Sequence, residues 1–490
     1  MKDKVKHYTR ENADTYIGEN KQNIRLDYRL QYHLMSEYGW MNDPNGFVFF
    51  KENFHLFYQH YPYTSYWGPM HWGHAISRDL IKWTYLPVAL APDQSYDESG
   101  CFSGSAIEKD GKLFLMYTGH VVTGPDKDND YIQTQNLAVS DEGVRFEKIQ
   151  QNPVIPVSLI PTSASQKDFR DPKVFERDGK YYAVIGSNDN SKNGIILLYR
   201  SEDLQHWTFV NEIARSDGHM GDNWECPDLF QLDHQDVLVV SPQRMPSQGY
   251  DYHNIHSTVS MLGRLDTEQG KFHYNDYKPM DYGFDYYAPQ TCEDNQGRRI
   301  VIAWMETWEI AIPTQEGHHW AGAMTLPREM RIVNDKIVYR PVEEIKTYRS
   351  ELYELKDVLL SGEQRLECTG DSYELDVVFD AFEAEEFGLK LRVHEKEETL
   401  ISYRVDDNLL RFNRDQSGIG PKGERLTKVP LNNNQLVLRI FVDRSSVEIF
   451  IQDGEKVMTG RIYPGTESLG IHVFSQGKCR IVSLNKWDIL

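Results

Sequence analysis

Three carboxylates stand directly before proline, or one residue away from it, in short strings rich in aromatic and amide side chains. They are Asn42-Asp43-Pro44 in WMNDPNG, Arg170-Asp171-Pro172 in FRDPKV, and Glu225-Cys226-Pro227 in NWECPDLF. Cleaving a glycosidic bond takes a proton donor and a base or nucleophile on either side of the acetal carbon. Two carboxyl groups held in different protonation states supply both. Asp43 lies between aromatic residues and a Pro-Asn-Gly turn, with Asn42 as a neighbouring donor, a setting that predicts an ionised, fixed carboxylate. Trp224, Cys226 and Leu229 give Glu225 partly apolar surroundings. Desolvation favours the protonated form, which a general acid needs. Arg170 predicts an ionised Asp171, suited to binding hydroxyls and stabilising positive charge rather than giving up a proton. One charged and one protonated carboxyl is the pair that a retaining mechanism uses. Asp228 competes with Glu225, but residues three apart in a strand face opposite sides. Glu225, nearer the strand start, is the one expected to face the site.

Taken alone, N-D-P-N-G reads better as an Asx turn with a solvent-facing Asp than as a site. What favours a site is the framework in which the acids recur. Five turn-rich segments lead into short apolar or aromatic runs: 52–59, 110–119, 178–187, 233–243 and 296–305. Each has a strand-like piece just upstream (GFVFF, SGSAIE, DPKVFE, PDLFQL and APQTCE), which makes a hairpin. Repeats about sixty residues long that hold several short strands read as propeller blades rather than a helical solenoid. In a radial fold, equivalent positions at the starts of inner strands converge on one central funnel. A second recurring piece carries Trp83, Phe146 or Trp207 after a Ser and an acidic turn. These pieces read as outer hairpins whose aromatics fill the space between blades.

The expected architecture is all-β: a five-bladed β-propeller followed by a β-sandwich. Residues 1–29 read as a polar helical lead-in, 30–345 as the propeller, 346–355 as a linker with helical character, and 356–490 as the sandwich. The sandwich reading rests on the alternation in YELDVVFDAF, GLKLRVH and LVLRIFVDRSSVEIFIQDG, the last a hairpin turning at Asp443–Ser446. No acid of this second domain sits in the turn–acid–proline setting, so it is expected to be structural or accessory, and to rim the groove at most.

The chain has 490 residues and a formal net charge of -21. Phosphate backbones need a basic face, so nucleic acid is not an expected partner. A neutral polyol or sugar suits the charge better. Five cysteines, widely spaced and without a C-x-x-C, indicate neither a zinc site nor a disulfide framework. Cys226 reads as a buried small side chain rather than a nucleophile. His60, His71 and His74 lack an ordered ligand spacing and read as structural or subsite residues, so no metal is expected. The charged N-terminus lacks an apolar stretch like that of a signal peptide, and no apolar run approaches 18 residues. The expectation is a cytoplasmic protein without a membrane partner. Assembly into a homo-oligomer stays open.

WMNDPNG, the downstream FYQ (57–59), FSG (102–104), FRDPKV (169–174) and ECPDLF (225–230) together resemble glycoside hydrolase family 32, the β-fructofuranosidase group. The resemblance runs from about residue 29 to 490. It implies a five-bladed propeller and a β-sandwich, in agreement with the repeat count. It also implies Asp43 as nucleophile, Glu225 as acid/base and Asp171 as transition-state stabiliser. Asn42, Gln59, Trp67, Phe102, Ser103 and Arg170 match the family's substrate-binding positions around a terminal fructose. The implied reaction is retaining hydrolysis of the fructoside bond of sucrose or sucrose 6-phosphate, with no cofactor. Alternatives are exo-hydrolysis of short fructo-oligosaccharides or fructans and, in a different class, a carbohydrate-binding protein that has lost catalysis. Arg244, His253 and His256, in the stretch 241–266, are the basic candidates for holding a phosphate.

Overall fold

The structure is a computed structural model that describes residues 8–490. The first seven residues of the expected lead-in lie outside the described residues. The lead-in then forms an α-helix, Arg10–Asn20, whose N-cap Thr9 accepts a hydrogen bond from the Asn12 N–H. The helix lies against blade 1, where Asp14 accepts from the Val88 N–H at 2.9 Å.

Five small sheets form the propeller, and each is a meander. Blade 1 runs through Gly39–Phe50, Asn53–Tyr61, His71–Ser77 and Thr84–Leu90. Blades 2, 3 and 4 begin at Gly100–Lys109, Ala164–Arg177 and Asn223–Leu232. Blade 5 comprises Tyr287–Glu293, Arg299–Trp304, Arg328–Val333 and Lys336–Pro341. The five upstream pieces read from the sequence lie in the innermost strands, and the five apolar runs fall on the second strands. The circle closes where Trp320–Ala321, from the fifth repeat, pairs in parallel with Gly39–Trp40 of blade 1.

The outer hairpins repeat one device. Ser77 and Ser201 bond to Asp79 and Asp203, Leu80 and Leu204 take positive φ, and the indoles of Trp83 and Trp207 donate back to the Leu80 and Leu204 carbonyls. These aromatics fill structural space, as read from the sequence.

Each inner strand is interrupted at one level. Register shifts fall between Met41 and Pro44, Phe102 and Gly104, Arg170 and Lys173, Glu225 and Asp228, and Tyr287 and Gln290. In blades 1, 3, 4 and 5 a proline sits at the interruption (Pro44, Pro172, Pro227 and Pro289). It brings no N–H to the ladder, so pairing breaks there and a bulge forms. Blade 2 uses Gly104 instead, where a Cβ would lie 2.0 Å from the Met116 carbonyl oxygen. Asp43, Ser103, Asp171 and Cys226 all occupy the interrupted segments.

The second domain is a β-sandwich built on three long strands, Arg349–Thr369, Ser372–His394 and Gly470–Ile489, with Gly470–Ile489 pairing to both of the others. Its core is a dense apolar cluster that includes Phe379, Phe387, Tyr403, Ile440 and Ile481. The expected linker is corrected: Glu343–Tyr348 is a 3-10 turn, and 349–355 already belong to the first long strand. The charged alternation of that edge segment hid its strand character. The segment just ahead of the first blade joins the two domains: both ring nitrogens of His33 meet sandwich carboxylates, Asp443 at 2.8 Å and Glu448 at 2.9 Å. Among the described residues no helix is long and apolar enough to cross a membrane.

Candidate active site

A cavity of about 440 Å³ opens at the end of the propeller where the inner strands begin. It is lined by Asn42, Asp43, Gln59, Trp67, Phe102, Ser103, Arg170, Asp171 and Glu225, so all nine residues singled out from the sequence meet in one place. A second cavity opens at the other end of the same strands, but its basic residues Lys173, Arg177 and Arg299 are spent on Asp228, Asp236 and Glu293. Asp228 lies at that end of the axis, fully buried, and also accepts from the Thr291 N–H. Glu225 therefore faces the first cavity and Asp228 does not.

Asp43 accepts from the Ser103 hydroxyl at 2.8 Å and from Asn42 Nδ2 at 3.1 Å. Asn42 is itself oriented by the Trp40 indole, which donates to its Oδ1 at 2.7 Å. Burial, reinforced by the charge of Glu225, pushes the Asp43 pKa up to about 6 against the pull of these donors. The carboxylate expected to be ionised is thus fixed by its donors, but burial works against its charge. Asp171, at φ 64°, is pushed up further, to about 7. Burial dominates there, Arg170 opposes it, and Glu225 and Asp43 add to it.

Two expectations about Arg170 and Glu225 are corrected. Arg170 turns away from its neighbour Asp171 and grips Glu225, whose Oε1 accepts from Nε at 3.0 Å and Nη2 at 2.9 Å. Its Nη1 donates to Asp168 at 2.8 Å. Glu225 is accordingly in polar surroundings: Trp224 points into the core, and the Tyr287 hydroxyl donates to Glu225 Oε2 at 2.6 Å. Asp168 stays well below the usual carboxylate range, because the Arg170 charge and the bonds from Arg170, Asn188 and Tyr131 together outweigh burial.

Cys226 is the buried small side chain expected of it, but it also lies at the centre of the acids. Its Sγ is 3.5 Å from Asp43 Oδ2 and 3.5 Å from Asp171 Oδ2, and its N–H donates to Asp171 at 3.0 Å. Burial and the surrounding carboxylates push the thiol pKa well up, so it is a weak donor and no thiolate nucleophile.

The remaining walls are aromatic and polar. Phe102 stacks on His120 at 4.3 Å and meets Trp67 edge-on at 6.1 Å, and Gln59 donates to the Cys101 carbonyl. Tyr131, Gln133, Lys127, Gln243 and Trp308 also line the cavity and were not foreseen. They come from second and third strands and loops, without a motif of their own. Arg244 and His256 line it too, whereas His253 belongs to a separate small cavity. His60 and His71 bond backbone carbonyls and His74 bonds His55. Among the described residues none of the sandwich reaches the lining, so the second domain does not rim this cavity.

The model of the glycosyl hydrolases family 32 N-terminal domain matches residues 33–341, and that of the family 32 C terminal matches residues 344–488. A sucrose-6-phosphate hydrolase of Zymomonas mobilis is 38% identical over 500 residues, covering 97% of this chain and 95% of the relative. A raffinose invertase of Escherichia coli is 40% identical over 453 residues, covering 91% of each. The solved structure of a Bombyx mori GH32 beta-fructofuranosidase superposes with a TM-score of 0.86 at 35% identity, covering 98% of both chains.

Proposed function

The chain belongs to glycosyl hydrolase family 32, and from that premise we propose that it hydrolyses the terminal β-D-fructofuranoside bond of sucrose or sucrose 6-phosphate with retention of configuration. The observation that carries the reading is the unequal treatment of three carboxyls in one cavity: two buried around a single thiol, one gripped by a guanidinium. Asp43, aimed by Ser103 and Asn42, attacks the anomeric carbon. Glu225 protonates the glycosidic oxygen, and the carboxylate it leaves behind is stabilised by Arg170 and Tyr287 until it takes a proton from water in the second step. Asp171 faces the fructosyl unit, accepting from its hydroxyls and offsetting positive charge as the bond breaks. Phe102, Trp67 and Gln59 hold the sugar.

The test is a side-by-side assay of sucrose, sucrose 6-phosphate, a kestose-type trisaccharide and inulin, with NMR of fresh product. β-Fructose released first, with a disaccharide preferred, is the expected result. Inversion, or a clear preference for inulin, rejects the reading. A second reading, exo-hydrolysis of short fructo-oligosaccharides, is favoured by Trp67 and Trp308, which line the cavity yet are 48% and 39% exposed and could stack on further sugar units.

A further inference from the structure

One buried side chain of the sandwich reaches a loop that forms part of the cavity wall. Arg461 ends the strand Lys456–Arg461 and is fully buried. Its Nη1 donates to Glu306, in the propeller loop that follows Arg299–Trp304. Two residues further on, Trp308 stacks on Trp40 with ring centres 5.8 Å apart and packs on Trp304 at 4.9 Å. Trp40 is the residue whose indole orients Asn42, and Asn42 donates to Asp43. Contacts and one two-residue step of backbone, from Glu306 to Trp308, thus link a sandwich guanidinium to the proposed nucleophile.

The guanidinium is itself fixed. Nε donates to the Ser445 carbonyl and Nη2 to the Ser445 hydroxyl, each at 2.9 Å. The Arg461 backbone N–H donates to Asp285 at 2.8 Å, two residues before Tyr287, which bonds Glu225. Other ion pairs already join the domains: Arg328 of the propeller bonds Glu448 of the sandwich, and Arg414 of the sandwich bonds Asp285. Arg461 differs from both in where its partner leads, since Glu306 lies outside any strand on the loop that carries Trp308 to the cavity.

We propose that Arg461 is a positioning residue of the second domain, setting the Trp308 wall and, through Trp40, the aim of Asn42 on Asp43, so that domain docking tunes substrate binding. This rests on the reading of the cavity as the fructoside site. A double-mutant cycle between Arg461→Lys and Trp308→Phe tests it in the full chain. Each single change is expected to raise KM for sucrose about fivefold to twentyfold while kcat stays within about twofold, and the pair to do no worse than Trp308→Phe alone. Additive effects, or an unchanged KM in folded Arg461→Lys, overturn the proposal. Should Arg461→Lys not fold, Glu306→Gln, which replaces the carboxyl by an amide at nearly constant volume, takes its place with the same criteria. A second readout does not depend on the substrate. Acrylamide quenching, compared with and without Trp308, isolates that indole from the other nine. Arg461→Lys is expected to make Trp308 more accessible. If wild-type protein hydrolyses neither sucrose nor sucrose 6-phosphate, the substrate reading fails, and the quenching comparison alone decides for or against the role of Arg461.

Discussion

The guanidinium of Arg170 is bonded to the carboxyl of Glu225 through two nitrogens, although the two residues belong to neighbouring blades and lie 55 positions apart. This pairing fixes the aim of the proposed acid/base and joins blades 3 and 4 at the cavity floor. Arg170→Ala would leave Glu225 and Asp168 without their shared cation. Removing one partner of a buried, charge-assisted pair costs about 2–5 kcal/mol. The expected outcome is a loss of kcat/KM of about two to three orders of magnitude, larger than for Arg170→Lys, with both variants folded by circular dichroism. Unchanged kcat/KM in Arg170→Ala would show that the pair is idle.

The proposed nucleophile must be ionised, and its pKa stands at about 6. As pH falls through that value Asp43 takes up a proton, so the acid limb of kcat/KM is expected near 6 rather than near 4. Asp171, at about 7, titrates with it, so the limb reports the group of acids rather than one member. The Ser103 hydroxyl pulls Asp43 down. A hydrogen bond to a charged group is worth about 1.5–3 kcal/mol, and one pKa unit about 1.4. Ser103→Ala should therefore move the acid limb upward by about one pH unit. A limb that stays in place would separate Ser103 from the ionisation of Asp43.

Much of this arrangement was legible in the residues themselves. The acid–proline strings mark the level at which the inner strands of blades 1, 3 and 4 break their ladders, because proline brings no N–H, and that level is where the cavity lies. Partnerships were less legible. Arg170 sits beside Asp171 in sequence, yet the bulge and the positive φ of Asp171 turn the two side chains apart and bring Glu225 from the next blade into reach. Cys226, at φ 45°, is swung between two acids by the same distortion, which regular strand alternation does not describe. Tyr287 carries no local signal at all, since its role depends on blade 5 closing beside blade 4.

His33 gives a pH-dependent stability that can be measured apart from activity. Burial alone would lower its pKa, but hydrogen bonds to Asp443 and Glu448 raise it above the ordinary histidine value. With the folded value above the unfolded one, the contribution is fully present below about pH 6.5 and is lost as pH rises through the raised value. His33→Asn takes the imidazolium from Asp443 and leaves Glu448 to Arg328 alone, a loss of about 3–5 kcal/mol at pH 6. The melting temperature should fall markedly at pH 6 and by less at pH 9. Equal losses at both pH values would mean that the imidazole is neutral in the folded protein.

The proposed acid can be separated from the proposed nucleophile by leaving group. Glu225→Gln keeps the shape and the Tyr287 contact but cannot deliver a proton. It should cut turnover of sucrose by two or more orders of magnitude, in line with the scale of general acid catalysis, while a β-fructoside whose leaving group needs no proton recovers much of the first step. Asp43→Asn should recover with neither substrate. If Glu225→Gln were equally impaired on both, its role as acid would be rejected.

The phosphate question turns on Arg244. It lines the cavity beyond Glu225, with its Nε bonded to Asp222 at 2.5 Å, and His256 and Lys127 line the same cavity. On a chain with a net charge of -21, long-range attraction does not favour a phosphorylated sugar, so local donors must do so. Asp222 holds one edge of the guanidinium, which orients the other nitrogens and reduces the ordering cost of binding an anion. Losing one charge-assisted contact of about 1.5–3 kcal/mol corresponds to roughly a tenfold to hundredfold change. Arg244→Ala is therefore expected to lower the ratio of kcat/KM for sucrose 6-phosphate over sucrose by that factor, chiefly through KM. Lys127→Ala should lower the same ratio by less, because it comes from a loop and binds as a point charge. If Arg244→Ala left the ratio unchanged, Arg244 would not read the phosphate, and the hydrolase reading would stand on the carboxylates alone.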